Sequence, residues 1–332
     1  MKAETQVELL LTQRALAGHA ASAPASLLKL LRHAAKQGRF DGDELAWLCA
    51  SFGVERQQDW PAAPFAGVAD GLASTDGYWF CADPVHMFLL QDSFTVTDAV
   101  VDDLDAAQAQ QLTGALNAHF ADDGLRFFAP TPERWYLRLE QAPALHTTPL
   151  AQALGRNVQP LMPQGRDALS WHSRLNEMQM LLYAHAINDE REQRGRLPIN
   201  SLWLWGGGGM PTFSLQPRHV WSRDAWVRGL ALAHGGQADL LPASASAWLG
   251  LEPSRTGNLI VLDDTRQQAT ATEQGCLEAD WFAPLLQALR DGRLAQLTLH
   301  LAYGGKISSF VTRRADLRKF WRRWRGLGEY LG

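Results

Sequence analysis

The sequence has little cysteine, no strong excess of charge and no long apolar run. Its three cysteines, Cys49, Cys81 and Cys276, are far apart and form no C-x-x-C pair, so neither a zinc knuckle nor a disulfide framework is indicated. A formal net charge of -4 argues against a bulk nucleic-acid binder. No apolar run approaches membrane-spanning length, and the N-terminus has no apolar signal core. We therefore expect a cytoplasmic protein without a membrane span.

The sequence also lacks the motifs of several common enzyme classes. There is no G-x-S-x-G, which argues against a serine hydrolase, and neither the nucleotide loop nor the catalytic loop of a kinase occurs. The four glycines Gly206 to Gly209 are not followed by the Lys-Ser or Lys-Thr of a phosphate-binding loop. Met210-Pro211 also breaks the dinucleotide-binding pattern.

The length and composition of the chain indicate an ordinary globular protein. It would have two domains, or one α/β domain with an insertion. The chain has 332 residues, of which 46% are hydrophobic and 20% charged. Thirteen tryptophans are unusually many. Large core side chains are the simplest explanation for them, and exposed stacking surfaces are the alternative.

Short apolar runs alternate with amphipathic stretches along the chain. Pro84 predicts a sharp turn between two strands at 78–81 and 87–90, and residues 125–128 and 135–139 predict a hairpin. We expect a first part of an α/β core at 1–70 and an inserted α+β domain at 78–165. The rest of the insertion and of the core would follow at 166–332. Further predicted strands lie at 7–11, 201–205, 259–262 and 297–302, and predicted helices at 24–37, 43–52, 104–120, 170–186, 225–234 and 281–289.

The apolar run from Ser201 to Trp205 predicts a buried strand that ends in the glycines. Open α/β sheets bind ligands at the carboxyl ends of their strands. Trp205, Gly206, Gly207 and Gly208 are therefore ligand-binding candidates. The alternative is a crowded turn packed under tryptophans, in which glycine is needed only for close approach.

The C-terminal stretch from Thr312 to Arg325 predicts a basic helix. Leu317, Phe320 and Trp324 contribute an apolar stripe, while seven arginines and lysines outnumber Asp316. The simplest expectation is a helix that packs this stripe on the core. Docking on nucleic acid or on a membrane surface is the alternative.

An ordered set of residues resembles a known family. His185-Ala-Ile-Asn188, then Arg191, Gly195, Pro198, Asn200 and Trp-Leu-Trp-Gly206 is similar to a segment of cofactor-independent phosphoglycerate mutases of the archaeal type. Ala82-Asp-Pro-Val-His86 and Asn176-Glu-Met-Gln-Met180 also resemble RpfE-type regulatory proteins, a phosphoglycerate-mutase-like bacterial family. The resemblance covers most of 78–247.

This resemblance implies an alkaline-phosphatase-like three-layer α/β core with an inserted smaller α+β domain. In active mutases of this type, two divalent metals held by Asp and His clusters activate a serine nucleophile. This chain departs from that pattern: Leu11 runs into Thr12-Gln13-Arg14 instead of an Asp-Gly ligand. The late strand ends in Asp263-Asp264, with no histidine up to Cys276. Asp263 and Asp264 are the remaining metal candidates, and a two-metal site is not expected.

Our first hypothesis is a non-catalytic, degenerate relative that needs no cofactor and acts in regulation. It would bind a phosphorylated or acidic small ligand, or a protein partner, and nucleic acid is not expected. Arginine and asparagine side chains suit such a ligand. Structural roles are the alternative for each residue: buried hydrogen-bonded histidines, an ion-paired arginine, and an aspartate that caps its own turn. The candidates are Asp83, His86, His185, Asn188, Arg191 and Asn200.

Two other hypotheses stay open. One is an active 2,3-bisphosphoglycerate-independent phosphoglycerate mutase or phosphatase that uses manganese or zinc. It would recruit Asp263, Asp264, His234 and His300. The other is an interaction module without a small-molecule site, built on a Trp-rich surface and the basic C-terminal helix.

Overall fold

A computed structural model describes residues 5–17, 23–72, 76–90, 93–97, 103–254, 257–263, 277–319 and 321–332. The chain divides into two compact units. The first unit combines Met1–Gly53 with Ser214–Gly332, and the second is Val54–Phe213.

The secondary structure elements are numbered in chain order. The strands are β1 (Thr5–Leu11), β2 (Ala35–Asp41), β3 (Tyr78–Leu90), β4 (Ser93–Thr97), β5 (Arg126–Phe128), β6 (Tyr136–Leu139), β7 (Ser201–Gly208), β8 (His219–Trp221), β9 (Gln237–Asp239), β10 (Asn258–Leu262), β11 (Leu294–Tyr303) and β12 (Lys306–Arg313). The α-helices are α1 (Gln13–Ala17), α2 (Ala25–His33), α3 (Glu44–Ser51), α4 (Ala62–Ala69), α5 (Ala106–His119), α6 (Leu150–Ala153), α7 (Ala168–Tyr183), α8 (Ala186–Gln193), α9 (Ala225–Ala233), α10 (Ala245–Gly250), α11 (Ala283–Asp291) and α12 (Leu327–Leu331).

The first unit is built on a seven-stranded sheet with the order β2-β12-β11-β1-β10-β8-β9. Strands β11, β1, β10, β8 and β9 are parallel to one another, whereas β12 pairs antiparallel with both β11 and β2. The central strands are apolar on both faces because helices cover both sides of a parallel sheet. Leu9 and Leu10, which point to opposite faces, are both completely buried.

Helices α2 and α11 cover one face of this sheet. Leu30 and Leu285 pack there in one cluster with Leu9, Ile260 and Leu299. On the opposite face, the ring of Trp47 from α3 lies 4.4 Å from the ring of His300 on β11. Helix, sheet and helix layers therefore form the α/β core that the sequence predicts.

The second unit is an antiparallel sheet covered by helices. The long strand β3 pairs with β4, β6 and β7, and β5 pairs with β6, which confirms the predicted β5–β6 hairpin. Helices α5 and α7 pack against this sheet, with Leu112 and Met178 in the same apolar cluster as Phe80 and Leu137. The α+β character expected for this part of the chain is present.

The predicted turn at Pro84 is wrong. Residues 78–90 form one continuous strand, and Pro84 lies opposite Leu202 of β7. Strand β6 pairs only with 78–81 and β4 only with 86–90. Proline lacks an N–H donor, so it is tolerated where a strand has a partner on one side only.

The predicted basic helix over 312–325 is also wrong. Strand β12 extends to Arg313, a 3-10 turn covers Arg314–Arg318, and the following helix, α12, begins only at Leu327. Thr312 and Arg313, the first two residues of the predicted helix, instead pair with Leu297 and Gln296 of β11. Tertiary strand pairing thus overrides the helical periodicity at the start of this stretch.

Candidate functional site

The carboxyl ends of β1 and β10 meet at Thr12 and Asp263. The parallel register sets Leu11 beside Leu262, so the residues that follow them are neighbours. The Thr12 hydroxyl donates to Asp263 Oδ1 over 3.0 Å, and the Thr12 N–H donates to the carbonyl of Leu262 over 3.1 Å. The sequence therefore places this pair at the edge of the sheet where α/β proteins bind ligands.

Two further elements reach the same edge through Gln13. Its N–H donates to Glu44 Oε1 at the start of α3 over 2.6 Å, and its side-chain oxygen accepts from the N–H of Gly304 over 3.2 Å. Thr12 also accepts from the N–H of Ala15, so it caps α1. We call Thr12, Gln13, Glu44 and Asp263 the strand-end site.

The donor set of the strand-end site does not fit a pair of divalent metals. Two such ions need several carboxylate and imidazole ligands close together. Here Asp263 accepts from the neutral hydroxyl of Thr12, and Glu44 accepts from a backbone N–H. Within the described ranges, no group of three or more His, Cys, Asp or Glu side chains could hold a metal ion. Asp264, the other metal candidate, lies outside the described residues.

The two histidines of the enzyme hypothesis have other neighbours. His300 hydrogen-bonds to Ser309 Oγ over 2.8 Å and to Glu8 Oε2 over 3.1 Å. His234 follows α9, is buried and packs edge-on against Phe52, and burial lowers its pKa. The contacts of these histidines are therefore made away from Asp263.

Glu8 is the centre of a charged cluster on the face of the sheet that carries His300. Its carboxylate bonds His300 and also lies 2.8 Å from the guanidinium of Arg218. Burial alone would raise the pKa of Glu8, but the hydrogen bonds and positive charges of these two partners outweigh it. They lower the pKa from 4.5 to about 2. An acid in the apolar strand TQVELLL was the available sequence signal for this cluster.

In the second unit, the strongest ligand-binding candidate is turned inward. The Arg191 side chain is 1% exposed. Its Nε donates to the carbonyl of Leu197 over 2.9 Å, and its guanidinium pairs with Asp103. These contacts fasten α8 to the segment that leads into β7 and to the stretch before α5.

The two asparagine candidates act as backbone bridges. Asn188 donates to the carbonyls of Leu182 and Ile199 and accepts from the N–H of Ile199, over 2.7–2.8 Å. Asn200 exchanges two hydrogen bonds with the backbone of Met87 on β3. Each side chain thus satisfies main-chain groups that no strand partner reaches.

The remaining polar candidates in this unit also have partners within it. His86 bonds the carbonyl of Pro198 through Nδ1 over 2.9 Å, and Asp83 accepts from the indole N–H of Trp205 over 2.6 Å. His185 accepts from the N–H of Ile187 and caps α8. The structure therefore brings these side chains into one region around β3, β7 and α8, where their contacts hold the chain together.

The glycines form the end of β7 instead of a loop that follows the strand. Gly206 has a φ of +66°, and a Cβ at that position would lie 2.9 Å from the Cβ of Ala62. At Gly207 a Cβ would meet Phe80 at 2.4 Å, and at Gly208 it would meet Pro61 at 2.3 Å. The crowded packing that we considered as the alternative explains these glycines.

Comparison with known proteins identifies the relationship. A segment of 180 residues, 53% of this chain, is 22% identical to the 2,3-bisphosphoglycerate-independent phosphoglycerate mutase of Methanosarcina mazei and covers 45% of it. Mutase 2 of Methanothermobacter thermautotrophicus is 28% identical over 136 residues, 40% of this chain and 33% of that protein. The chain is a distant homologue of cofactor-independent phosphoglycerate mutases of the archaeal type. No family model matches it.

A solved structure has a similar fold. The PH0037 protein of Pyrococcus horikoshii is 12% identical, with a TM-score of 0.54 over 94% of this chain and 88% of that one. The cofactor-independent phosphoglycerate mutase of Thermoplasma acidophilum is 15% identical, with a TM-score of 0.45 over 99% and 95% of the two chains. The likeness to the PH0037 protein confirms the predicted α/β fold.

The homology makes the chain a phosphoglycerate-mutase-like protein. It carries no conclusion about whether the chain catalyses a reaction. The chain matches less than half the length of these curated mutases. No helix among the described residues is long and apolar enough to cross a bilayer. The ligand-binding roles of the candidates in the second unit stay predictions.

Proposed function

We propose that this phosphoglycerate-mutase-like protein lacks mutase catalysis and acts in regulation, by binding an acidic or phosphorylated small ligand or a protein partner. The observation that carries the proposal is the hydrogen bond between Thr12 and Asp263. The family resemblance implies an acidic metal ligand at the end of the first strand, and here a threonine occupies that place.

The chemistry of this replacement supports a loss of metal-dependent turnover. A neutral hydroxyl that donates to Asp263 cannot help to balance the charge of two divalent cations. Glu44, the other carboxylate of the strand-end site, already accepts from the N–H of Gln13. Phosphoryl transfer in this superfamily depends on metals that lower the pKa of the nucleophile and neutralise the phosphoryl oxygens.

The decisive experiment combines metal analysis with activity assays on the purified chain. We expect no stoichiometric metal, and no phosphoglycerate mutase or phosphatase turnover with added manganese. Near-stoichiometric metal and turnover that disappears in Asp263→Ala would overturn the proposal. That result would favour a metal-dependent phosphatase that uses Asp263 and Asp264.

Thermal unfolding with 3-phosphoglycerate separates the two modes of regulation. A saturable stabilisation that is kept in Arg194→Ala would indicate a specific small acidic ligand. Arg194 is a suitable control because its side chain is 61% exposed and lies in the second unit. No stabilisation by this probe would favour a protein partner.

A further inference from the structure

Two tryptophans differ from the others in their exposure. Eight of the thirteen are buried, which places most of the aromatic surface in the core: Trp47, Trp79, Trp135, Trp171, Trp203, Trp221, Trp248 and Trp281. Trp321 is 70% exposed and Trp324 is 51% exposed. Both lie in the sequence Trp321-Arg-Arg-Trp-Arg325, which we call the Trp–Arg segment.

The charge around this segment is opposite to that of the whole chain. From Arg313 to Gly332, seven basic residues and the two acids Asp316 and Glu329 give a net formal charge of +5. The complete chain has a net formal charge of -4. The basic residues are therefore concentrated in the last twenty positions, and Arg323 and Arg325 are exposed there.

The Trp–Arg segment is fastened to the first unit at both ends. The Arg322 guanidinium donates to the carbonyls of His33 and Ala34, and the Arg32 Nε donates to the carbonyl of Arg322 over 2.6 Å. After the segment, Leu327 and Tyr330 are buried in the core. A segment held on both sides keeps its indoles at the surface, which reduces the entropy lost when they bind a partner.

We propose that the Trp–Arg segment binds the surface of an anionic lipid bilayer. The indole is apolar with one polar N–H, which suits the boundary between head groups and acyl chains. Arginine pairs with phosphate groups, and each basic residue near a membrane adds to its attraction by anionic lipids. Exposed indoles and a local positive charge occur together here, as peripheral membrane binding requires.

The surroundings of Trp324 favour binding to a bilayer over binding to single-stranded nucleic acid. Binding of bases requires open aromatic faces, but the guanidinium of Arg32 lies over the Trp324 ring, 4.7 Å from its centroid. A membrane surface needs only the protruding edges of the indoles and the local charge.

Flotation with vesicles tests this proposal on the full chain. We expect binding to equimolar phosphatidylcholine and phosphatidylglycerol, weak binding to phosphatidylcholine alone, and weaker binding as salt is added. The double variant Arg323→Gln/Arg325→Gln should bind the anionic vesicles about 25-fold more weakly, since each charge contributes roughly fivefold. Trp321→Ala should also weaken binding, because it removes the exposed indole.

Matched controls separate this segment from general surface effects. Arg166→Gln removes one arginine whose side chain is 85% exposed, and Tyr183→Ala removes an aromatic residue that is 70% exposed, like Trp321. Both lie in the other unit and should leave vesicle binding unchanged. Equal binding to the two kinds of vesicle, or equal loss in test and control variants, would overturn the proposal. Binding of poly-uridylate without binding of anionic vesicles would also overturn it and indicate a nucleic-acid site.

Discussion

Arg191 and Arg323 both lie in polar stretches of sequence that suggest binding, and the structure uses them in opposite ways. Arg191 is buried among groups that it satisfies, including Asp103 and the carbonyl of Leu197. Arg323 is exposed between two exposed tryptophans. The comparison shows that residue type alone does not separate a structural arginine from one that can bind a partner. Burial and local hydrogen-bond partners make the distinction.

The largest effect should come from the buried arginine. Arg191→Ala should lower the free energy of unfolding by about 3–5 kcal/mol, because it leaves buried polar groups without a partner. Urea unfolding measures this change. Arg194→Ala, at an exposed position in the same region, should change stability by less than about 0.5 kcal/mol. Similar losses in both variants would contradict the structural role assigned to Arg191.

Gly208 tests whether the glycines serve packing. Gly208→Ala should cost about 1–3 kcal/mol of unfolding free energy, because the new Cβ would lie 2.3 Å from the Cβ of Pro61. Gly209→Ala is the matched control, since its Cβ would have its nearest neighbour at 3.4 Å. If thermal or urea unfolding shows equal effects for the two variants, close packing does not explain the glycine at 208.

Thr12 tests the strand-end site in the first unit. Thr12→Ala should cost about 0.5–2 kcal/mol, because it removes the cap of α1 and the hydrogen bond to Asp263. Thr12→Ser retains the hydroxyl and should recover most of the loss. Equal stability of the alanine and serine variants in urea would show that the hydroxyl contributes little.

The smallest effect should be a change in pH dependence at Glu8. The pKa of Glu8 in the fold, about 2, is below its ordinary value of 4.5. Its ionised form therefore stabilises the fold above pH 4.5, and this contribution is lost as the pH falls towards 2. Glu8→Gln should flatten the fall in stability over that range, measured by urea unfolding. Glu192→Gln, at an exposed acid, should keep the wild-type slope; an unchanged slope in Glu8→Gln would refute the charged cluster.

The sequence alone determined the class of fold. Apolar runs such as 7–11 and 259–262 predict buried strands, although the run at 7–11 is also compatible with the start of a helix. Glycine and proline bound the helices between these runs. Local patterns in the Ala82–His86 and Asn176–Gly206 stretches were enough to indicate the distant mutase relationship. The departure at Thr12 was also visible, because it depends on residue type at the end of a strand.

Only the tertiary structure decided which polar residues face inward and which secondary structure the basic C-terminal stretch adopts. Pro84 lies inside a strand because, among the described strands, only β7 pairs with β3 at that position. Thr312 and Arg313, at the start of that basic stretch, lie in a strand because they pair with β11. Asn188 and Arg191 donate to carbonyls 6 to 11 residues away, and Arg191 also pairs with Asp103, 88 residues away. Such outcomes depend on long-range pairing and burial, which local sequence patterns do not encode.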